Sequence, residues 1–255
     1  MRTVLAAARY EFRMQITRRT TWITSLLLAV LLLAGSIPHW DPANTFAADI
    51  GIYAMLFNIL PPVVFGALLA DRAVRDDRLG VEELLDSLPT PPTARLWGKY
   101  LGTAAACLLP LLVTWCLALV RAGTSRHDWH ALPLGLGAFA AIEVPALLFV
   151  AAFALACPTV LGAPLFRVLL VGYWFWGNLV TAQVMPTPSG TWLAPLGDHA
   201  RLAFFGGGPF ADPHSFAGAA QSVAAGLGSI AVQLTAAGAA LVALTAHQAR
   251  RRAAR

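Results

Sequence analysis

The feature that most constrains this sequence is a series of long runs with almost no charged residues. A helix needs about 20 apolar residues to cross the hydrocarbon core of a bilayer. Runs of that length predict six membrane spans, at roughly 20–38, 50–70, 100–120, 131–156, 165–184 and 215–246. Pro61 and Pro62 lie inside the second run, where they predict a kink.

The composition agrees with these runs. The chain has 255 residues, of which 58% are hydrophobic and 12% charged, and its mean hydropathy is +0.65. These values exclude an ordinary soluble globular domain. We therefore predict an all-α membrane protein in which residues 1–255 form a single transmembrane domain.

Residues 1–21 carry five arginines beside a moderately apolar arc that Gln15 interrupts. Such a pattern predicts an interfacial helix that lies along the inner leaflet. A secretory signal peptide is the competing interpretation, since Ala34-Gly35-Ser36 resembles a cleavage site. The long basic region and the further spans favour the interfacial helix.

The distribution of basic residues predicts the orientation. With six spans, 15 arginine and lysine residues fall on the side of the two termini and 3 on the opposite side. Basic residues collect in the cytoplasm, so both termini are predicted to be cytoplasmic. The same distribution explains the net charge of +5 without nucleic acid as a partner.

The charged segment 71–99 separates the second and third spans, so it is predicted to be a cytoplasmic loop. Within it, Val81, Leu84, Leu85 and Leu88 recur at helical spacing, with acidic residues on the other arc. A short helix with this leucine stripe is suited to docking onto a partner. In the alternative interpretation, the leucines fold back onto the bilayer surface.

Segment 185–217 is too long and too aromatic for a plain loop. We predict a re-entrant or interfacial hairpin on the external face, with Asp198 capping a short helix that ends at Phe205. In the last span, Gly218, Ser222 and Gly226 recur every fourth residue and form a small-residue stripe for helix packing.

Glu143 is the acidic residue within a predicted span. A charge at mid-bilayer costs about 2.5–3.5 kcal/mol, so such a residue usually faces protein or water. It could line a substrate or proton pathway, or it could be a helix-packing residue that meets Asn178 or Gln183. Both interpretations remain open from the sequence.

Other catalytic and metal-binding signals are weak. There is no phosphate-binding loop, H-E-x-x-H motif or G-x-S-x-G motif, so the chain is not expected to be an enzyme. His127 and His130 are weak candidates for a metal site, although loop histidines are more often only solvated. The three cysteines show neither metal-ligand nor disulfide spacing and are expected to pack in the core.

The layout resembles the permease subunits of type-2 ABC exporters. The likeness is carried by an N-terminal basic helix, six spans, the loop sequence GVEELLDSLP at 80–89 and TARLWGKYLG at 93–102. In that family the loop between spans two and three contains the coupling helix that inserts into the ATPase. The resemblance assigns this role to Leu79, Gly80, Val81, Glu82, Glu83, Leu84, Leu85 and Leu88.

The resemblance implies a bacterial inner-membrane subunit that exports an amphipathic drug, lipid or peptide. Its partners would be two cytoplasmic ATPase subunits, which hold ATP and Mg, and a second copy of the permease or a related permease. No cofactor would be bound by this chain itself. A proton-coupled secondary transporter and an intramembrane enzyme using Glu82 and Glu83 are the alternatives.

Overall fold

The structure is a computed structural model that describes residues 2–35, 45–78, 80, 91–180, 184–206 and 222–253. Within these ranges the protein is all-helical, and no strand is present. The helices are α1 Arg2–Ile16, α2 Arg19–Gly35, α3 Phe46–Phe57, α4 Pro61–Arg78, α5 Pro92–Arg126, α6 Ala131–Ala138, the π-helical turn Phe139–Glu143, α7 Val144–Ala156, α8 Pro158–Leu161, α9 Ala163–Leu179, α10 Asp198–Phe204 and α11 Val223–Ala253.

Four helical segments of the described chain are long and apolar enough to cross a membrane. They cover Phe46–Arg72, Pro92–Arg126, Ala131–Leu161 and Val223–Arg250. The helices Arg2–Ile16 and Arg19–Ala34 pass the same test only as a pair, and they meet at an angle of 68°. The chain is therefore a helical protein suited to several passes through a membrane.

The bend between α1 and α2 follows from side chains that cap the end of α1. Thr21 Oγ1 donates to the Gln15 carbonyl at 3.1 Å, and Trp22 Nε1 donates to the Ile16 carbonyl at 2.6 Å. These carbonyls have no partner within α1, because a helix leaves its last four unpaired. The capping replaces the hydrogen bonds that a straight continuation would have made.

The break predicted from two consecutive prolines lies between α3 and α4. Helix α3 ends at Phe57, and α4 begins at Pro61, whose missing N–H is tolerated in the first turn of a helix. Residues 46–72 still form one candidate span across the break. The second predicted span, 50–70, lies within this range.

The helices also extend into the charged segment 71–99 from both ends. Helix α4 continues to Arg78, and α5 begins at Pro92, although the apolar runs stop near 70 and start near 100. Arginine and lysine are good helix formers, and a helix that packing has already nucleated can propagate through them. The part of the segment outside these helices is therefore shorter than the sequence predicts.

The core lies between α3, α4, α5, α7 and α11. Trp115 of α5 is fully buried, stacks on Tyr53 at 5.2 Å between ring centroids, and donates from Nε1 to the Gly135 carbonyl at 2.8 Å. Buried alanines line α7 where it packs against α4 and α11. Small residues let helices approach closely, which is the usual basis of helix packing in membranes.

Candidate functional site

The candidate site begins where α1 packs against the first turns of α5, next to the charged segment. A Cβ added at Gly98 would lie 2.4 Å from the Ala7 Cβ, and one added at Gly102 would lie 2.4 Å from the Ala8 carbonyl oxygen. Both distances are shorter than any real Cβ contact, so only glycine fits. The two glycines are one helical turn apart, and they bring α1 into direct backbone contact with α5.

A buried arginine joins the end of α4 to the same helix. Arg72 is 4% exposed, and its Nε donates to the Gln15 side-chain oxygen at 3.0 Å, with a second donation from Nη2. Its Nη1 also lies 3.9 Å from the Glu11 carboxylate. Gln15, which interrupts the apolar arc of α1 in the sequence, is thus a partner of a buried charge.

Helix α9 is held at the same end of the molecule. Arg167 Nε donates to the Ala67 carbonyl at 3.0 Å, and the guanidinium forms an ion pair with Asp71. Both contacts join the first turns of α9 to the middle of α4. Helix α4 is therefore connected through polar contacts to α1 and to α9.

The predicted coupling residues lie mostly outside the described ranges. Leu79, Val81, Glu82, Glu83, Leu84, Leu85 and Leu88 fall there, and only Gly80 is described. Gly80 is exposed and has φ +64°, a left-handed conformation that favours glycine. It lies two residues after Arg78, the last residue of α4.

At the break between α3 and α4, one side-chain amide and one backbone carbonyl are paired by distant residues. The side-chain Nδ2 of Asn58 donates to the carbonyls of Pro195 and Leu196, each at 3.1 Å. Trp174 Nε1 donates to the Ile59 carbonyl at 2.7 Å. The Ile59 carbonyl, which the break leaves without a helical partner, is thus paired inside the protein, as a helix interruption within a membrane requires.

Asn178 belongs to this buried network. Its Oδ1 accepts from the Leu196 N–H at 3.0 Å, and its Nδ2 donates to the Trp174 carbonyl at 2.8 Å. These are the hydrogen bonds of the Asn178 side-chain amide among the described residues, and none of them joins it to Glu143. The other suggested partner, Gln183, lies outside the described residues.

Glu143 is the last residue of the π-helical turn and is 1% exposed. Its Oε1 is buried with no hydrogen-bond partner in the part of the chain that the structure describes. The turn lies just before Pro145, which cannot donate a helical hydrogen bond, and such π-turns are frequent at functional sites. Sequence reasoning found the buried acid but missed the turn that carries it.

The short helix predicted after Asp198 is confirmed as α10, Asp198–Phe204, but the predicted cap is wrong. Gly197, with φ +100°, is the N-cap, and Asp198 is the first helical residue without a side-chain cap bond. A Cβ at Gly197 would lie 2.6 Å from Ile142 Cγ2, so close packing against the π-turn requires glycine there. The tight approach, rather than a capping carboxylate, fixes where this helix begins.

Helix α10 also carries a buried arginine that the sequence did not single out. Arg201 is 1% exposed, and its Nε and Nη1 have no hydrogen-bond partner among the described residues. Burial lowers the pKa of its guanidinium, opposed by the nearby carboxylate of Asp198. Burial likewise raises the pKa of Asp198, opposed by Arg201 and His199. Its position in a proline- and glycine-rich segment gave no sign of this burial.

Of the predicted small-residue stripe Gly218, Ser222 and Gly226, the structure describes the last two residues. Gly218 lies outside the described residues, and Ser222 precedes α11, where its Oγ accepts from the Ala225 N–H at 3.2 Å. A Cβ at Gly226 would lie 2.7 Å from the Ala203 Cβ of α10. Gly226 therefore allows a close approach to a helix of the same chain, and Ser222 starts the last span instead of packing within it.

The candidate metal ligands sit on the turn between α5 and α6. His130 Nδ1 lies 2.8 Å from Asp128 Oδ1, while His127 ends α5 with φ 54°. The backbone N–H and ring of His130 lower the pKa of Asp128 by hydrogen bonding. The described residues contain no group of three or more His, Cys, Asp and Glu side chains that could hold a metal ion.

Comparison with known proteins does not assign the chain to a family. Neither the protein-family models nor the curated proteins gave a match to this sequence.

Proposed function

We propose that this chain is the membrane-spanning permease subunit of an ATP-driven type-2 ABC exporter in a bacterial inner membrane. Both termini would face the cytoplasm, and the cargo would be an amphipathic drug, lipid or peptide. Two cytoplasmic ATPase subunits would bind ATP and Mg. A second copy of the chain, or a related permease, would complete the transport unit.

The observation that carries this proposal is the connection between the two ends of the charged segment. Helix α4 enters the segment with Arg72 bound to Gln15, and α5 leaves it with Gly98 packed against Ala7. A partner that pushes on residues 79–90 would therefore move α4, α5 and α1 as one body. Packed elements of this kind shift between discrete positions instead of deforming continuously.

Six spans are compatible with the lengths of the two remaining helices. Helices α2 and α9 each have 17 residues. At 1.5 Å per residue, such a helix is about 26 Å long, close to the hydrocarbon thickness of about 30 Å. Both carry several strongly exposed apolar side chains, including Leu26, Leu27, Val168 and Leu169. Lipid or a partner subunit would cover them.

The packing of residues 184–206 supports the proposed hairpin over 185–217. Hydrogen bonds from this segment to Asn58, Asn178 and Tyr173 hold it against the ends of α3 and α9. Helix α10 also packs against α3 and α11. Residues 194–202, which are buried apart from the half-buried Asp198, could lie at membrane depth without exposing their backbone to lipid.

The decisive experiment is affinity purification of the tagged chain from its native membrane. We expect an ATPase to co-elute, and we expect Leu85→Asp to abolish the co-elution because a charge would enter the leucine stripe. Ser87→Asp is the matched control, since it adds the same charge to the same segment outside the stripe. Equal recovery of the ATPase with Leu85→Asp, Ser87→Asp and the natural chain would refute the coupling role.

A second candidate function rests on Glu143. A fully buried carboxyl in a π-turn, without a described hydrogen-bond partner at Oε1, is also what a proton-coupled transporter would need. Transport driven by a pH gradient in ATPase-free vesicles, and lost with Glu143→Gln, would favour this function. The exporter predicts no such transport.

A further inference from the structure

An open apolar groove lies between the last turns of α11 and the end of the Ala131–Leu161 span. Its volume is about 700 Å³. The residues that line it are mostly apolar and include Phe153, Ala156, Val160, Ala240, Ala243 and Leu244. Four alanines, at 156, 240, 243 and 246, leave the space between the two helices unfilled.

The groove has the depth of one membrane leaflet. The spans on its two sides end at Leu161 and at Arg250, so both ends lie at the same boundary of the membrane. From Arg250 to Ala240 the helix advances about 15 Å at 1.5 Å per residue. This is half of the hydrocarbon thickness of about 30 Å. A molecule filling the groove would therefore reach from the headgroup level to the middle of the bilayer.

The polar groups of the groove are concentrated at its boundary end. His247 and Arg250 line it there, and neither side chain makes a hydrogen bond or ion pair with another described residue. The Nε2 atom of His247 is buried and has no partner in that part of the chain. Thr159, by contrast, donates its hydroxyl to the Ala156 carbonyl at 2.6 Å. The groups that remain available are thus a cation and an imidazole.

We infer that this groove binds a glycerophospholipid with an anionic headgroup. One acyl chain would lie along the alanine wall, and the phosphate would face Arg250 and His247. Basic pockets between membrane helices on the cytoplasmic side are suited to anionic headgroups, and charge-assisted bonds to phosphate are strong. In the sequence, Arg250 is followed by Arg251 and Arg252. This inference does not depend on the ATPase partner.

Charge favours a lipid over a second copy of the chain as the occupant. A two-fold contact is self-complementary, so it would place the same patch, with Arg250, against itself. Like charges brought together in this way repel each other. A free phosphate ion would satisfy the cationic end but would leave the apolar volume empty. A lipid matches both parts of the groove.

The test is native mass spectrometry of the purified full-length chain after delipidation in detergent, titrated with phosphatidylglycerol or phosphatidylcholine. We expect one tightly held phosphatidylglycerol per chain. The double variant His247→Gln/Arg250→Gln should weaken this binding at least about fivefold, the effect of one basic charge near an anionic lipid. Arg19→Gln removes an exposed arginine elsewhere and should leave the binding unchanged.

A second pair of variants tests the apolar part. Ala243→Trp would fill the groove and should abolish retention of both lipids, whereas Val242→Trp, on an exposed position outside the groove, should not. The inference is overturned by equal phosphatidylglycerol binding in all variants, by an equal loss with Arg19→Gln, or by displacement of the lipid with inorganic phosphate. A lipid-free dimer that Ala243→Trp dissociates would also overturn it, because a second copy would then occupy the groove.

Discussion

Replacement of Gly98 by alanine tests the contact between α1 and α5 directly. The new Cβ would lie 2.4 Å from the Ala7 Cβ and 3.1 Å from two backbone atoms of α1. None of these atoms can rotate away, so α1 has to shift, which we place at about 3 kcal/mol, the upper part of the range for overpacking. Alanine gains about 1 kcal/mol over glycine in a helix. The expected net loss is therefore about 2 kcal/mol.

The assay is thermal unfolding of the purified chain in detergent, with all variants scanned at the same rate because such unfolding is often irreversible. At about 2–4 °C per kcal/mol for a chain of this size, Gly98→Ala should lower Tm by about 4–8 °C. The matched control is Gly172→Ala, where an added Cβ meets no atom within 4 Å. It should raise Tm by about 2–4 °C through helix propensity alone.

The double variant Gly98→Ala/Ala7→Gly completes a double-mutant cycle for the contact between these two residues. Removing the Ala7 Cβ relieves the clash, so the double variant should be more stable than Gly98→Ala alone, even though Ala7→Gly by itself costs about 1 kcal/mol. Additive effects of the two changes, or a rise of Tm with Gly98→Ala equal to that of the control, would refute the close packing of α1 on α5.

Four further variants probe the buried polar groups and the start of α10. Asn58→Leu leaves the buried Pro195 and Leu196 carbonyls without their donor. At about 1–3 kcal/mol for the lost hydrogen bonds, Tm should fall by about 5 °C. An unchanged Tm would show that these hydrogen bonds do not stabilise the fold. Gly197→Ala should cost about 2 kcal/mol or more, since it combines φ +100° with overlap on Ile142. Gly206→Ala is the control: Gly206 has φ +88° but no atom near an added Cβ, so this variant measures the cost of the left-handed backbone conformation alone. Arg201→Met with Asp198→Asn removes the buried guanidinium and the half-buried carboxylate near it, and should raise Tm by about 2–4 °C. A fall in Tm would show that contacts stabilise the guanidinium.

The sequence predicted the features that depend on local composition. Apolar runs locate the four candidate spans, two consecutive prolines locate the break after Phe57, and a turn-rich segment still reveals α10. Each of these depends on residues that are neighbours in the chain. These features are determined locally, by the free energy of transferring apolar side chains out of water and by the missing backbone N–H of proline.

Helix ends were less predictable because distant residues determine them. The apolar run 165–184 continues beyond Leu179, yet α9 ends there. Thr187 Oγ1 donates to the Trp176 carbonyl at 2.5 Å, and Ser189 Oγ donates to the Asn178 carbonyl at 3.4 Å. The returning segment thus supplies partners that a longer helix would have supplied itself. Hydropathy contains no information about such partners.

For the candidate sites too, the sequence predicted local features but not the distant residues that contact them. Gln15 stood out as a polar residue on an apolar arc, and Glu143 as an acid within a span, so both were visible as exceptions. Their surroundings were not, because Arg72 lies 57 residues from Gln15 and the π-turn has no marker apart from Pro145. A polar residue in an apolar pattern therefore locates a site without identifying its partner.

The interruption after Phe57 also sets an order on biogenesis. Its hydrogen-bond partners are 115 to 138 residues further along the chain. At about 5–20 residues per second of synthesis, they emerge from the ribosome roughly 6–28 s later. During this delay, the side-chain amide of Asn58 and the Ile59 carbonyl lack these partners, and lipid cannot solvate them. The nascent chain must therefore wait in a hydrated translocon or beside its earlier helices until the second half arrives.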